Sequence, residues 1–269
     1  MDEGWIEDER VGFFRVAKGC AILFFDDGVT RLRPRYQTSE VSKTSEVFWR
    51  TIMPRRDVPF LPNQYYHFYN RGNNRQTVFF EAENYIYFLK GVKQYLLGTV
   101  EVIAYCLMPT HYHLLVRVLA NEQTSEVFKT SEVSRPEVSR PEASKQVSLG
   151  MQKLLISYTK AINKRFERTG ALFQGQFQGK PVTTYSHLLT LCAYIHANPV
   201  KDGLAAAPEM WDFSNYLEWL GLRNGTLVNR EFIAEHFGTG EAYKQFVADY
   251  LRNRQVDEEF RKYVEGLER

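Results

Sequence analysis

Two histidines separated by one residue, His111 and His113, open an apolar run that reads His111-Tyr112-His113-Leu114-Leu115-Val116. On an extended strand alternate side chains share a face, so the pair presents two imidazoles side by side while Tyr112 turns away. Neutral imidazole suits a borderline or hard divalent ion when oxygen ligands complete the shell. The same pair could equally hydrogen-bond locally on a partly buried strand, and a lone His-x-His does not choose between the two. Further along, Tyr194 and Asn198 stand four apart in a helical run and so lie on one face. The residue before a proline is disfavoured from continuing a helix, which puts Asn198, before Pro199, in the last turn. A phenol close to a metal-bound phosphate can act as a nucleophile, with the Asn198 amide oxygen as a third ligand. Against this stands plain packing by Tyr194 and C-terminal capping by Asn198. Tyr158 is a rival nucleophile, but it shares a helical face with Leu154 and Ile162, the spacing of a core position.

Such groups need a sheet and a helix to bring them together. Residues 100–108 and 111–119 read as two β-rich runs joined by a tight hairpin at Pro109-Thr110. Residues 65–70 form an aromatic strand stopped by Arg71-Gly72-Asn73-Asn74, and 84–97 have helical apolar spacing. An amphipathic helix over 149–168 ends at Gly170, a strand covers 172–182, and a helix over 186–197 is stopped by Pro199. The order β, α, β, β, α, β, α predicts an α+β fold, an antiparallel β-sheet packed with α-helices.

Two stretches interrupt this order. The unit Thr38-Ser39-Glu40-Val41 recurs from Thr44, Thr124 and Thr130, and the second tract continues as Val133-Ser134-Arg135-Pro136-Glu137, repeated from Val138. Such polar repeats hold too little apolar bulk to offset the entropy of ordering, so residues 37–48 and 121–147 are expected to be disordered insertions. The chain then divides into an N-terminal appendage (1–52), a core domain (53–216) and a helical C-terminal appendage (217–269). Within the first, apolar pieces at 11–16 and 20–25 around Gly19 predict a small hairpin.

With 44% hydrophobic residues in 269, there is material for a real core. A formal net charge of +2 does not announce a nucleic-acid binder, so local charge must decide. Three widely spaced cysteines argue against a disulfide framework or a paired-cysteine zinc site. The acidic N-terminus lacks the basic start of a signal peptide, and no apolar run has the length of a membrane span. A cytoplasmic protein with no membrane association is expected.

Four blocks carry a family resemblance: Tyr69-Asn70-Arg71-Gly72-Asn73, Met108-Pro109-Thr110-His111-Tyr112-His113-Leu114-Leu115-Val116, Gly170-Ala171-Leu172-Phe173-Gln174-Gly175 and Tyr194-Ile195-His196-Ala197-Asn198-Pro199-Val200. In this order they resemble the signature blocks of the REP-associated tyrosine transposases, which are single-tyrosine HUH transposases. The resemblance spans roughly residues 53–216 and implies a ferredoxin-like core. It implies that His111 and His113 bind a divalent metal, Mg²⁺ or Mn²⁺, with Asn198 as a further ligand. It also implies that Tyr194 attacks a phosphodiester of single-stranded DNA beside a hairpin to form a 5'-phosphotyrosine.

Basic residues concentrate at Lys153, Lys160, Lys164, Arg165 and Arg168, followed by Lys180, with Arg71 and Arg75 in the turn after the first core strand and Arg55 and Arg56 before it. These would attract a phosphate backbone, and the interleaved Phe166, Phe173 and Phe177 would stack unpaired bases. A solvated helix face with core phenylalanines accounts for the same pattern residue by residue. Three other readings compete: a non-catalytic nucleic-acid-binding protein of the same fold, a metal-dependent or nucleotide-handling hydrolase of another fold such as a histidine-triad hydrolase, and a structural protein. Leu115 stands where the hydrolase would place its next alternating histidine. Monomer and homodimer both stay open.

Overall fold

A computed structural model describes residues 4–8, 12–17, 20–23, 59–120, 142–253 and 258–268. The backbone clusters into two compact units, Met1–Asp57 and Val58–Arg269. In the first, β1 (Gly4–Asp8), β2 (Gly12–Ala17) and β3 (Cys20–Leu23) form an antiparallel meander, so the expected hairpin gains a third strand. The Thr-Ser-Glu-Val repeats and Arg55 and Arg56 lie outside the described residues.

In the second unit β4 (Tyr65–Arg71) leads to α1 (Ala82–Leu96), the hairpin β5 (Val100–Met108) and β6 (His111–Val118), then α2 (Glu142–Arg165), β7 (Gln178–Val182) and α3 (Tyr185–Lys201). Four short to medium helices follow: α4 (Tyr216–Trp219), α5 (Arg230–Phe237), α6 (Gly240–Asn253) and α7 (Glu258–Glu268). The sheet order is β5-β6-β4-β7, with every neighbouring pair antiparallel. This is the split β-α-β arrangement of a ferredoxin-like core, an α+β fold.

Strand alternation divides the core in two. Tyr66 and Phe68 of β4 and Tyr112, Leu114 and Val116 of β6 join α1 and α2 in one apolar cluster. The opposite face holds Leu115, Cys106 and Met108 against α3 and, beyond it, Phe232, Tyr243, Phe260 and Leu267 of the last three helices. Segment 217–269, set apart from sequence as an appendage, thus builds the second cluster together with the sheet and belongs to the same compact unit. Its aromatic residues Phe232, Phe237, Tyr243, Phe246 and Tyr250 offer a packing face in the sequence, and what they pack against lies on other elements.

Three boundaries differ from expectation for tertiary reasons. Residues 142–147, assigned to the disordered insertion, form the start of α2, where Ser144 accepts from the Phe60 N–H at 3.0 Å and Val147 is buried. The strand expected over 172–182 begins only at Gln178; Phe173 instead bridges Gly72. The helix expected to stop before Pro199 continues through it to Lys201. One lost N–H is offset there by burial on all sides, since every residue from Leu191 to Pro199 is buried.

Candidate active site

The β5–β6 hairpin sets His111 opposite Arg71 and His113 opposite Tyr69 across the β4–β6 ladder, all four on the α3 side of the sheet. Tyr194 comes down from α3 so that its ring meets that of His113 edge-on, centroids 5.6 Å apart. These residues, with Asn70, Arg75, Thr110, Asn198, Asp202 and Leu267, line a cleft of about 320 Å³. Of the residues singled out in the sequence, the structure therefore brings His111, His113, Tyr194, Asn198, Arg71 and Arg75 into one place.

Their hydrogen bonds define what each can offer. The Nδ1 atom of His111 pairs with the Thr110 hydroxyl at 2.9 Å, and Nδ1 of His113 pairs with Nε2 of His67 at 2.9 Å. Each ring thus spends one nitrogen internally and keeps Nε2, the division that metal-ligating histidines show. Burial, followed by the charge of Arg71, lowers the pKa of His111 to about 4. Burial and the neighbouring histidines hold His113 well below the usual range. Both rings are accordingly neutral near pH 7, with a lone pair available for a ligand.

Asn198 lies in the last turn of α3, as the sequence implied, and is buried. Its Nδ2 donates to the Tyr194 carbonyl at 3.0 Å, leaving Oδ1 as the atom free to accept or to ligate. Among the described residues no three His, Cys, Asp or Glu side chains converge as a metal-binding group. A cation here would take two imidazole nitrogens and complete its shell with amide and substrate oxygens, a donor set that fits an octahedral, oxygen-preferring ion. Asp202, which continues the Tyr194, Asn198 spacing by one more turn, adds a carboxylate to the cleft wall. The sequence reading missed it, although the repeated interval of four was its signal.

The remaining basic candidates separate. Lys153, Lys160 and Lys164 are exposed on α2, which packs on the other side of the sheet from the histidines. Arg165 pairs with Glu81 at 3.2 Å, and Arg168 donates to Gln76 at 2.6 Å while lying over the Phe80 ring. Neither arginine lines the cleft. Lys180, half-buried and opposite His67 in the ladder, has its ammonium over the rings of Tyr69 and Tyr263, at 5.8 and 4.9 Å. Phe173 and Phe177 are buried in the first cluster, which removes them as base-stacking groups; Phe166 lies tilted against Phe80, ring centroids 4.5 Å apart. Tyr158 is buried on that far face too, donating to the Val78 carbonyl at 2.7 Å.

The loop that carries Arg71 and Arg75 is fixed by the third sequence block. Gln174 N–H donates to Arg71 O and Asn73 N–H to Leu172 O, while the Asn70 amide reaches Gly175 O. From the hairpin, Thr110 O accepts from Gly72 N–H and Pro109 O from Val78 N–H. Gly72 is required at this crossing: a Cβ there would stand 2.0 Å from the Gln76 carbonyl oxygen. Three distant stretches of chain are thereby tied at one end of the sheet, beside the histidines.

No family model matches the chain, and no curated protein matches it. Among solved structures it is similar to a REP-associated tyrosine transposase bound to a REP hairpin, at 15% identity and a TM-score of 0.46, over 66% of this chain and 98% of that one. It is also similar to a bacterial tRNA(His) guanylyltransferase (Thg1)-like protein in complexes with ATP and with GTP, at 6% identity and a TM-score of 0.32. Those two likenesses cover 64% and 61% of this chain and 75% and 76% of the others. At these identities and scores a likeness assigns no activity.

Proposed function

We propose that this chain is a metal-dependent single-tyrosine DNA strand-transfer enzyme acting on single-stranded DNA beside a hairpin. The observation that carries the reading is the meeting of Tyr194 with the His111/His113 pair, from the fourth and second of the sequence blocks, in one polar cleft. His111 Nε2, His113 Nε2 and the Asn198 amide oxygen would hold Mg²⁺ or Mn²⁺, which when bound supplies charge neutralisation at the scissile phosphate. Tyr194 then attacks phosphorus; the new Oη–P bond forms as the bond to the 3'-oxygen breaks. The phenolic proton ends on the departing 3'-oxygen, so the products are a 5'-phosphotyrosine and a 3'-hydroxyl. The phosphodiester is conserved in the adduct, and rejoining runs the same exchange in reverse with another 3'-hydroxyl, without a nucleotide cofactor. Arg71 and Arg75 on the cleft wall supply phosphate contacts.

An end-labelled oligonucleotide with a hairpin and a single-stranded flank, incubated with Mn²⁺ or Mg²⁺, is expected to be cleaved once in the flank. Chelation and His111→Ala should each reduce the rate by roughly a hundredfold or more. Cleavage that survives both at full rate would remove the metal from the reaction. Binding of the hairpin with no cleavage under any divalent ion would favour the non-catalytic DNA-binding reading.

A further inference from the structure

Behind His113 lies a second buried histidine that the cleft itself does not use. His67 is fully buried on β4, and its two nitrogens join His113 to the C-terminal helix: Nε2 pairs with His113 Nδ1 at 2.9 Å and Nδ1 with the Tyr263 hydroxyl of α7 at 2.7 Å. The planes of the two imidazoles lie 25° apart with centroids at 5.0 Å. Tyr263 is in turn held by the rings of His187 and Phe260, 4.4 and 5.9 Å away, and by the Lys180 ammonium.

Two neutral rings and one phenol can run this chain in only two directions. In one, Tyr263 donates to His67, His67 donates to His113 Nδ1, and His113 shows an N–H at Nε2. In the other, His113 Nδ1–H donates to His67, His67 Nδ1–H donates to the Tyr263 oxygen, and His113 Nε2 carries a lone pair. Only the second direction suits a metal ligand. We infer that His67 and Tyr263 are positioning residues that fix the ring plane and tautomer of His113, so that the cation affinity of the cleft depends on α7 being seated. This rests on the metal-site reading above. Its physical basis is the cost of a buried N–H without an acceptor: with the Tyr263 oxygen gone, the ligand-competent direction leaves His67 Nδ1–H unsatisfied, whereas the opposite direction leaves only an acceptor so.

The test is Mn²⁺ binding to the full chain, followed by the EPR signal of free Mn²⁺, combined with imidazole ¹⁵N NMR of the metal-free protein. Wild type is expected to bind, and His111→Ala to lose binding. Tyr263→Phe, which keeps the ring and its packing, should weaken binding about 10- to 100-fold. In the NMR spectrum His113 should be protonated at Nδ1 in wild type and shift toward Nε2 protonation in Tyr263→Phe, a change that lost packing alone would not produce. Binding lost in His111→Ala but unchanged in Tyr263→Phe, with an unchanged tautomer, overturns the relay and leaves the metal site standing. Absence of Mn²⁺ binding in wild type, or binding indifferent to His111→Ala, overturns the metal site beneath it. Should Tyr263→Phe fail to fold, an Nε2-protonated His113 in metal-free wild type would by itself overturn the relay, and an Nδ1-protonated one would support it.

Discussion

Three histidines, His67, His113 and His196, are buried, and their hydrogen bonds sort them by purpose. His196, which lies two residues from the proposed nucleophile, has both nitrogens engaged: Nδ1 with the Tyr243 hydroxyl and Nε2 with Asn215 Oδ1 at 2.8 Å. Because an amide oxygen only accepts, Nε2 carries the proton and Tyr243 donates to Nδ1. Nothing is left over for a ligand, so His196 is structural, while His113 keeps a nitrogen for the cleft. Asn215 completes the network by accepting from the Tyr105 N–H and donating to the carbonyls of Ile103 and Leu227. Replacing Asn215 by Ala orphans these groups together, and urea unfolding should report a loss of about 3–5 kcal/mol. A loss under 1 kcal/mol would mean that water replaces the amide. The histidine pair stood out in the sequence because alternation on a strand is a local pattern, whereas the interval from Tyr194 to Asn198 suited packing and capping equally well and only the resemblance of its block singled Tyr194 out. His67 and Tyr263 were not legible, since what gives each its place is a neighbour on another element, whereas Asp202 carried the same interval of four and was passed over.

At the scale of elements, the strands were the readable part. Tyr65–Arg71, Val100–Met108 and His111–Val118 were legible from their aromatic and β-rich composition and the turn residues that bound them. Segment 172–177 misled because its apolar residues, Leu172, Phe173 and Phe177, are buried as a loop that ties down the Arg71–Arg75 turn and not as a strand. Pro199 misled because local preference was set against burial on every side of α3, and burial won. The turn after β4 supplies a sharp test. Gly72→Ala drives a Cβ into the Gln76 carbonyl, with Asn74 and Arg75 already at φ of 51° and 58°. Urea unfolding should show about 1–3 kcal/mol of destabilisation. DNA affinity should fall with it as Arg71 and Arg75 shift, and an unchanged affinity would take these arginines out of the interface.

For the whole molecule, the buried histidines make stability depend on pH in a stated direction. Burial lowers His67 to about 3 and His111 and His196 to about 4, from an ordinary value near 6.5. Between those limits the unfolded chain binds protons that the folded chain refuses, so stability is fully present above about pH 6.5 and drains away as pH falls toward 4. Each such group contributes at most about 1.4 kcal/mol per pH unit within that window. The urea midpoint should therefore fall between pH 7 and pH 5, and His196→Gln should flatten the slope by close to one proton. A midpoint that is level across the range would contradict neutral burial of these rings. The described residues include no helix long and apolar enough to cross a membrane.

The central claim is that Tyr194, not Tyr158 or a water molecule, forms the bond to DNA. Its most direct test is to trap the product of Mn²⁺-dependent cleavage of a hairpin-flanked single strand, digest the protein and locate the nucleotide-bearing peptide by mass spectrometry. The expected adduct is a 5'-phosphate on Tyr194, absent from Tyr194→Phe, whose strand cleavage should drop by roughly 10³-fold or more. A phosphotyrosine on another residue, or cleaved DNA with a free 5'-phosphate and full activity in Tyr194→Phe, would contradict it.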